Sequence, residues 1–101
     1  MNGKLLGKIF DEYCKERGYK VYNTESHRAT PRGMKGFPDR FVIGDDFVAF
    51  AEIKGEGDKL REEQALFMRL MAQMIGNTEF KRVVRCKLID SEESIKELLG
   101  E

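Results

Sequence analysis

Three charged residues in the middle of the chain, Asp39, Glu52 and Lys54, stand next to apolar segments. Asp39 closes the motif Gly36-Phe37-Pro38-Asp39, and the other two belong to Glu52-Ile53-Lys54-Gly55. Charged groups in apolar surroundings are costly unless a cation or a polyanion balances them. The two motifs therefore indicate a site for a metal ion, a polyanion or both.

The segments that carry these residues are predicted to form one β-hairpin. Gly44-Asp45-Asp46 is the turn signal between two apolar runs, which predicts a two-residue loop at Asp45-Asp46. The predicted pairs are Gly44 with Phe47, Ile43 with Val48, Phe41 with Phe50, and Asp39 with Glu52. Opposed residues have Cβ atoms about 4.5–5.5 Å apart. Side chains alternate along a strand, so Lys54 shares a face with Glu52.

A simpler interpretation has to be weighed against a site. A Glu-x-Lys triplet is also typical of a strand that emerges into solvent, where the ion pair contributes little to stability. Asp39 on the opposite strand changes the balance, because two facing carboxylates repel each other unless a cation lies between them. Pro38 suits the first position of a strand, which places Asp39 at the strand's start.

These residue types fit a divalent metal. Mg²⁺ prefers oxygen ligands and commonly uses one or two carboxylates, waters and a substrate phosphate. Asp39 and Glu52 would supply the carboxylates, and the main-chain carbonyl of Ile53 a further oxygen. A metal there activates water and offsets phosphate charge, while Lys54 would stabilise the oxyanion.

The remaining elements follow from periodicity and capping. The pattern predicts a helix over 4–17, a strand over 19–23, a loop over 24–36, the hairpin strands 40–44 and 47–54, a helix over 59–75, a strand over 80–89 and a last helix ending near Leu99. Asp58 is the predicted N-cap of the second helix, and Asp90 or Ser91 that of the last. The predicted inner stripe of the second helix is Leu66, Phe67, Leu70, Met71, Met74 and Ile75.

The resulting element order is αβββαβα. It predicts an α/β fold whose four-stranded mixed sheet is flanked by helices, with the last two strands parallel. At 101 residues, the length suits one domain over 1–101.

In these motifs and in this element order, the chain resembles the PD-(D/E)XK nuclease superfamily, which has a restriction-endonuclease-like core. More narrowly, it is similar to the small stand-alone VRR-NUC proteins of phages and bacteria. The resemblance lies in Gly36-Phe37-Pro38-Asp39, Glu52-Ile53-Lys54-Gly55, and then Asp58, Leu60 and Gln64. It implies that Asp39 and Glu52 bind Mg²⁺ or Mn²⁺, that Lys54 assists catalysis, and that Gln64 lies beside the metal.

Gln64 can also be placed from the residues alone. It is one turn after Leu60 and close to one turn before Phe67, so it lies on the buried stripe of its helix, where a polar group needs partners. The competing interpretation is a glutamine at the edge of that stripe.

The first helix departs from the family pattern. That pattern implies a further acid from the N-terminal half of the helix, and residues 2–8 contain none. Glu12 borders the apolar stripe and is the tentative substitute as a metal ligand. Asp11, Glu16 and Glu25 are alternatives, and the position stays open.

Composition is compatible with nucleic acid as a partner. The formal net charge is zero, but cations are concentrated before Asp39 and acids in the last twelve residues. The predicted DNA-binding residues are Arg28, Arg32, Lys35, Lys59 and Arg61, acting through phosphates without sequence readout. No apolar run is long enough for a membrane span, so a cytoplasmic protein is expected. The two cysteines and the one histidine form no metal-binding motif. No small-molecule cofactor is expected.

The expected function is a Mg²⁺- or Mn²⁺-dependent endonuclease for branched DNA that resembles Holliday-junction resolvases. Two symmetric cuts from a chain with one site imply a homodimer. Exposed apolar residues such as Met34 or Phe37 are candidates for the dimer surface. The alternatives are a nuclease for flap, nicked or duplex DNA, and an inactive DNA-binding module.

Overall fold

Seven main elements follow one another in the order αβββαβα. A computed structural model describes residues 1–24, 36–76 and 79–100. The helices are α1 (Gly3–Glu16), α2 (Glu62–Gly76) and α3 (Glu92–Leu99), and a short 3₁₀ helix spans Glu79–Arg82. The strands are β1 (Lys20–Asn23), β2 (Arg40–Ile43), β3 (Val48–Ile53) and β4 (Val84–Ile89). The predicted element order is confirmed.

The four strands form one mixed sheet in the spatial order β1-β2-β3-β4. The first three strands are antiparallel to their neighbours, and β4 runs parallel to β3. Phe41 faces Phe50 and Ile43 faces Val48, so the predicted hairpin register is confirmed. The parallel pairing that follows α2 is confirmed as well.

The hairpin turn depends on the size of Gly44. Its N–H donates to the Phe47 carbonyl at 2.8 Å, which closes a two-residue loop over Asp45 and Asp46. A Cβ on Gly44 would lie 2.1 Å from the Phe47 ring. That ring is buried and packs edge-on against Tyr19, so the glycine is needed to let the ring fold over the turn.

One face of the sheet is covered by α1 and α3. Alternate β3 residues, Ala49, Ala51 and Ile53, point into this core. The helices contribute large apolar side chains that are almost completely buried, namely Leu6, Phe10, Cys14, Ile95, Leu98 and Leu99. The helix ends agree with the sequence, because Asn2 caps α1, Ser91 caps α3, and both helices end at glycines with positive φ.

Of the helices that the structure describes, α2 covers the other face. Phe67 of α2 packs on Phe50 and Phe37, which extends an aromatic cluster to Phe41. Only half of the predicted α2 stripe faces the sheet. Leu66, Leu70 and Met74 are 45%, 53% and 53% exposed, because they lie about 100° around the helix from Phe67, Met71 and Ile75. The prediction that all six were inner residues is wrong.

Two predicted element starts are also wrong. Helix α2 begins at Glu62 instead of residue 59, and the Asp58 carboxylate accepts from the Gly55 N–H at 2.8 Å instead of capping the helix. Strand β4 begins at Val84 instead of residue 80, because its partner β3 starts only at Val48, the residue paired with Val84.

None of the helices in the described ranges is both long and apolar enough to cross a membrane.

Candidate active site at the end of the hairpin

Asp39 lies at the open end of the β2–β3 hairpin. Arg40 pairs with Ala51, so one further step of the register puts Asp39 across from Glu52, as predicted. The Asp39 carboxylate is buried and accepts from the Ile53 N–H at 3.0 Å. This hydrogen bond fixes one carboxylate oxygen against the neighbouring strand.

Glu52 is almost completely inside the protein, with 1% of the residue exposed. One carboxylate oxygen, Oε1, accepts from the Gln64 side-chain amide at 2.6 Å and lies 3.6 Å from the Lys54 Nζ. A buried carboxylate is tolerated when hydrogen bonds and an opposite charge balance it. Here α2 supplies the hydrogen bond and the same strand supplies the charge.

Gln64 has two partners that orient its side chain. Its Oε1 accepts from the Arg61 N–H at 2.8 Å, and its amide nitrogen donates to Glu52. Because the Arg61 carbonyl accepts the first helical hydrogen bond from Ala65, Gln64 stands three residues after the N-cap. That is the position from which a glutamine caps a helix start. The buried location predicted for Gln64 is confirmed, and its contact with Glu52 is direct.

A cavity of about 600 Å³ opens at this end of the sheet. Asp39, Ile53 and Lys54 form part of its wall. Lys54 has 16% of its side chain exposed, so it spans from the buried Glu52 to the cavity. Among the described residues, the cavity lining does not include Glu52 or Gln64, both of which are buried.

The structure does not bring the tentative helix acid to this site. Glu12 is exposed and lines a different cavity together with Lys8, Lys15 and Lys20. It is about two turns along α1 from the residues that reach the site cavity. The structure therefore does not bring Glu12 to the cavity that Asp39 lines, and its tentative role as a metal ligand stays a prediction.

The alternative acids on α1 have other partners. Asp11 makes a two-point ion pair with Arg40, at 2.8 and 3.3 Å. Gly7 permits this contact, since a Cβ there would lie 2.8 Å from the Arg40 guanidinium. Glu16 is 3.9 Å from Arg17. Glu25 is outside the described residues.

The predicted DNA-binding residues divide into three groups. Lys59 lines the site cavity, whereas Arg61 is exposed and is not part of the lining within the described ranges. Arg28, Arg32 and Lys35 are outside the described residues. Of the two residues considered for a dimer surface, Met34 is also outside them, and Phe37 is half-buried against Phe50 and Phe67.

Five residues of the cavity lining were not predicted as site residues from the sequence: Gly3, Lys4, Asn23, Arg40 and Asp58. Asp58 was interpreted as a helix cap, because an N-cap and a turn that binds backbone N–H groups use the same residue types. Its position in the family-like motif was the available signal. Lys4 and Asn23 carry no sequence signal, since only the packing of α1 and β1 brings them here.

The described part of the chain brings the carboxylates of Asp39 and Glu52 to this site, and Asp58 lines the same cavity. No group of three or more His, Cys, Asp or Glu side chains within residues 1–24, 36–76 and 79–100 could hold a metal ion. Asp39 and Glu52, with the Ile53 carbonyl, still match the ligand set of a Mg²⁺ site that takes its other oxygens from water and phosphate.

Both cysteines are free thiols. Burial raises the pKa of Cys14 to about 12, with the charge of Asp11 adding to the effect. Burial also raises the pKa of Cys86 to about 11, and the charge of Glu52 contributes to the increase. Both thiols are therefore protonated at neutral pH, which lowers their reactivity as nucleophiles.

Comparison with known proteins adds no family assignment. No protein-family model matches the chain, and no curated protein matches it.

Proposed function

We propose that this protein is a metal-dependent endonuclease that hydrolyses phosphodiester bonds in branched DNA. The observation that carries the proposal is Lys54, whose ammonium connects the buried Glu52 to a cavity lined by Asp39. A site of this kind offers carboxylate oxygens and an ammonium group to the same ligand. The sequence resemblance to VRR-NUC nucleases points to the same chemistry.

The donor set suits Mg²⁺ or Mn²⁺, which Asp39, Glu52 and the Ile53 carbonyl would hold. When bound, the metal activates water and neutralises charge on the phosphate. The paired carboxylates repel each other without a cation, so they favour the bound state. Calcium is expected to bind and to support DNA binding without cleavage.

The chain's own residues have distinct roles in this proposal. Lys54 carries N–H donors for a phosphate oxygen on which negative charge develops, while its contact with Glu52 keeps it in place. Gln64 is a positioning residue that fixes one Glu52 oxygen. The Ile53 N–H does the same for Asp39.

A homodimer would allow two coordinated cuts on a four-way junction. Leu66, Leu70 and Met74 form an exposed apolar row on α2, which we call the α2 row. The row is symmetric about Leu70, with one residue four positions before it and one four positions after. Two antiparallel copies of α2 related by a two-fold axis would therefore place the row against itself, as an isologous interface requires.

Cleavage of defined substrates tests the proposal. Purified protein is incubated with a labelled four-way junction, a flap, a nicked duplex and an intact duplex, each with Mg²⁺, Mn²⁺ or EDTA. We expect metal-dependent cutting of the junction, in symmetric pairs. Preference for intact duplex would overturn the choice of junctions, and cleavage in EDTA would overturn the metal-dependent mechanism.

The Lys54→Ala variant separates an enzyme from a binding module. We expect cleavage to fall by at least about 100-fold, as for the loss of an oxyanion donor, while junction binding in Ca²⁺ changes little. Lys87→Ala is the matched control, because Lys87 pairs with Glu97 on the opposite face of the sheet. If neither wild type nor either variant cleaves but all bind junctions, the protein is a binding module instead.

A further inference from the structure

The start of α1 and the segment after β3 form two adjoining walls of the site cavity. A Cβ on Gly55 would lie 2.0 Å from the Gly3 nitrogen, and one on Gly3 would lie 2.9 Å from an Asp58 oxygen. The two backbones are therefore in direct contact. Lys4 and Lys59, which follow Gly3 and Asp58 in the chain, both line the cavity.

These two lysines differ from the other cations of the cavity. Arg40 is paired with Asp11, and Lys54 is paired with Glu52. In the described part of the chain, no ion pair or hydrogen bond holds the Lys4 or Lys59 ammonium, and both residues are exposed. These two lysines thus line a cavity in which the carboxylates of Asp39 and Asp58 each accept from a backbone N–H.

A single phosphate does not use all of these groups. The phosphate that is cut must approach Asp39 and Lys54, which lie just before β2 and just after β3 at the open end of the hairpin. Lys4 and Lys59 belong to the two walls and follow Gly3 and Asp58 in the chain, so they can neutralise charge that continues beyond that phosphate. A polymer with regularly spaced phosphates supplies it, whereas a mononucleotide does not.

We propose that Lys4 and Lys59 form a two-sided clamp for a backbone phosphate next to the one that is cut. This inference rests on the proposed nuclease function and deepens it, because it assigns a sequence-independent contact to a residue of the first helix. Each lysine neutralises phosphate charge and positions the strand without touching the reacting atoms.

Lys8 provides a matched control for Lys4. It is one turn further along α1, is exposed, and lines the separate cavity beside Glu12. The variants Lys4→Gln, Lys59→Gln and Lys8→Gln remove the same charge at three positions. All three side chains are exposed, so their melting temperatures should equal that of wild type.

The test measures binding of a fluorescein-labelled junction in Ca²⁺ over a range of salt concentrations. For each lost contact with duplex phosphate, the slope of log K against log salt should become shallower by about 0.9. We expect this for Lys4→Gln and for Lys59→Gln, and no change for Lys8→Gln. Steady-state cleavage in Mg²⁺ should show a raised KM with kcat nearly unchanged.

A phosphate scan then tests the contact itself. Neutral methylphosphonates are placed one at a time along the cleaved strand. In wild type, one position beside the cut should weaken binding, and at that position Lys4→Gln should show no further loss, since a coupled pair is not additive.

The outcomes distinguish the two proposals. If wild type cleaves junctions but Lys4→Gln and Lys8→Gln behave alike, the clamp is wrong and the nuclease stands. If wild type neither binds nor cleaves DNA with any of the metals, the proposed function fails and the clamp fails with it.

Discussion

The two faces of the sheet differ in what they bury. The face under α1 and α3 contains apolar side chains that are nearly all out of contact with solvent. The face under α2 contains half-buried aromatic rings, and at its end Glu52 and Gln64 are buried and polar. Adjacent residues of β3 point in opposite directions, so Ala51 and Ile53 serve one face and Glu52 the other.

This difference indicates how a small chain accommodates a buried charge. The face under α1 and α3, which we call the closed face, supplies most of the apolar burial, and this burial is the main favourable term in folding. The α2 face can then tolerate a carboxylate, because one amide and one ammonium compensate it locally. Stability and chemistry are thus separated by the alternation of side chains along one strand.

The largest expected effect is on the closed face. Phe10→Ala should lower the free energy of unfolding by about 3–5 kcal/mol, because Phe10 is fully buried. Phe67→Ala on the half-buried α2 face should cost about half as much. Urea denaturation measures both, and equal losses would contradict the distinction between the faces.

Next in size is the effect of charge in the α2 row. Leu70→Glu should dissociate the proposed dimer and convert paired cuts into single nicks, while the melting temperature stays near that of wild type because the side chain is exposed. Ala65→Glu adds the same charge at an exposed position of the same helix, about 140° around the helix axis from Leu70, and is the control. Analytical ultracentrifugation reports the oligomeric state. A wild-type monomer would rule out the row as a dimer surface.

A smaller effect is expected for Gln64→Leu. The substitution removes the donor to Glu52 and the acceptor for the Arg61 N–H, and unpaired buried polar groups cost about 1–3 kcal/mol. Cleavage should fall about tenfold. Gln64→Glu keeps the acceptor for the Arg61 N–H but puts a second carboxylate against the buried Glu52, so we expect a lower melting temperature together with impaired cleavage. Unchanged cleavage in both variants would remove Gln64 from the site.

The smallest effect compares one thiol on each face. Both folded-state pKa values lie above the ordinary value of 9.0, so the folded chain retains these protons after the unfolded chain has lost them. The contribution of the thiols to stability is therefore constant below about pH 9 and decreases as pH rises towards 11 and 12.

Alkylation distinguishes the two cysteines. Glu52→Gln removes a charge that raises the pKa of Cys86, so alkylation of Cys86 near pH 9 should accelerate a few-fold. Alkylation of Cys14, whose surroundings do not include Glu52 as a cause of its pKa, should not change. Peptide mass spectrometry resolves the two residues, and equal acceleration would point to general loosening of the fold.

Local patterns predicted the hairpin well because its turn and its register depend on neighbouring residues. Gly44, the turn and the alternation of apolar residues were sufficient to place Asp39 opposite Glu52. Gln64 was found because a polar residue on an apolar stripe requires a partner. These inferences need only the spacing along one or two elements.

The errors arose where tertiary packing decides. Leu66 and Phe67 are adjacent in the chain and both are apolar. The way α2 packs on the sheet determines which of the two is covered. Glu12 was chosen from its position on a stripe, but the contact of Gly3 with Gly55 brings the first turn of α1 to the cavity instead. Lys4 could not be identified, because a lysine at a helix start has no local signature of a ligand.

The turn at Asp45-Asp46 also fixes the register of the whole hairpin. Both side chains are exposed, so many substitutions there should be neutral. Insertion of one residue is different, because a shift of one position exchanges the two sides of a strand. Glu52 would then face the apolar core, and Ala51 or Ile53 would take its place near Asp39. The length of this loop, at the end of the hairpin farthest from the cavity, therefore determines whether Asp39 and Glu52 face each other.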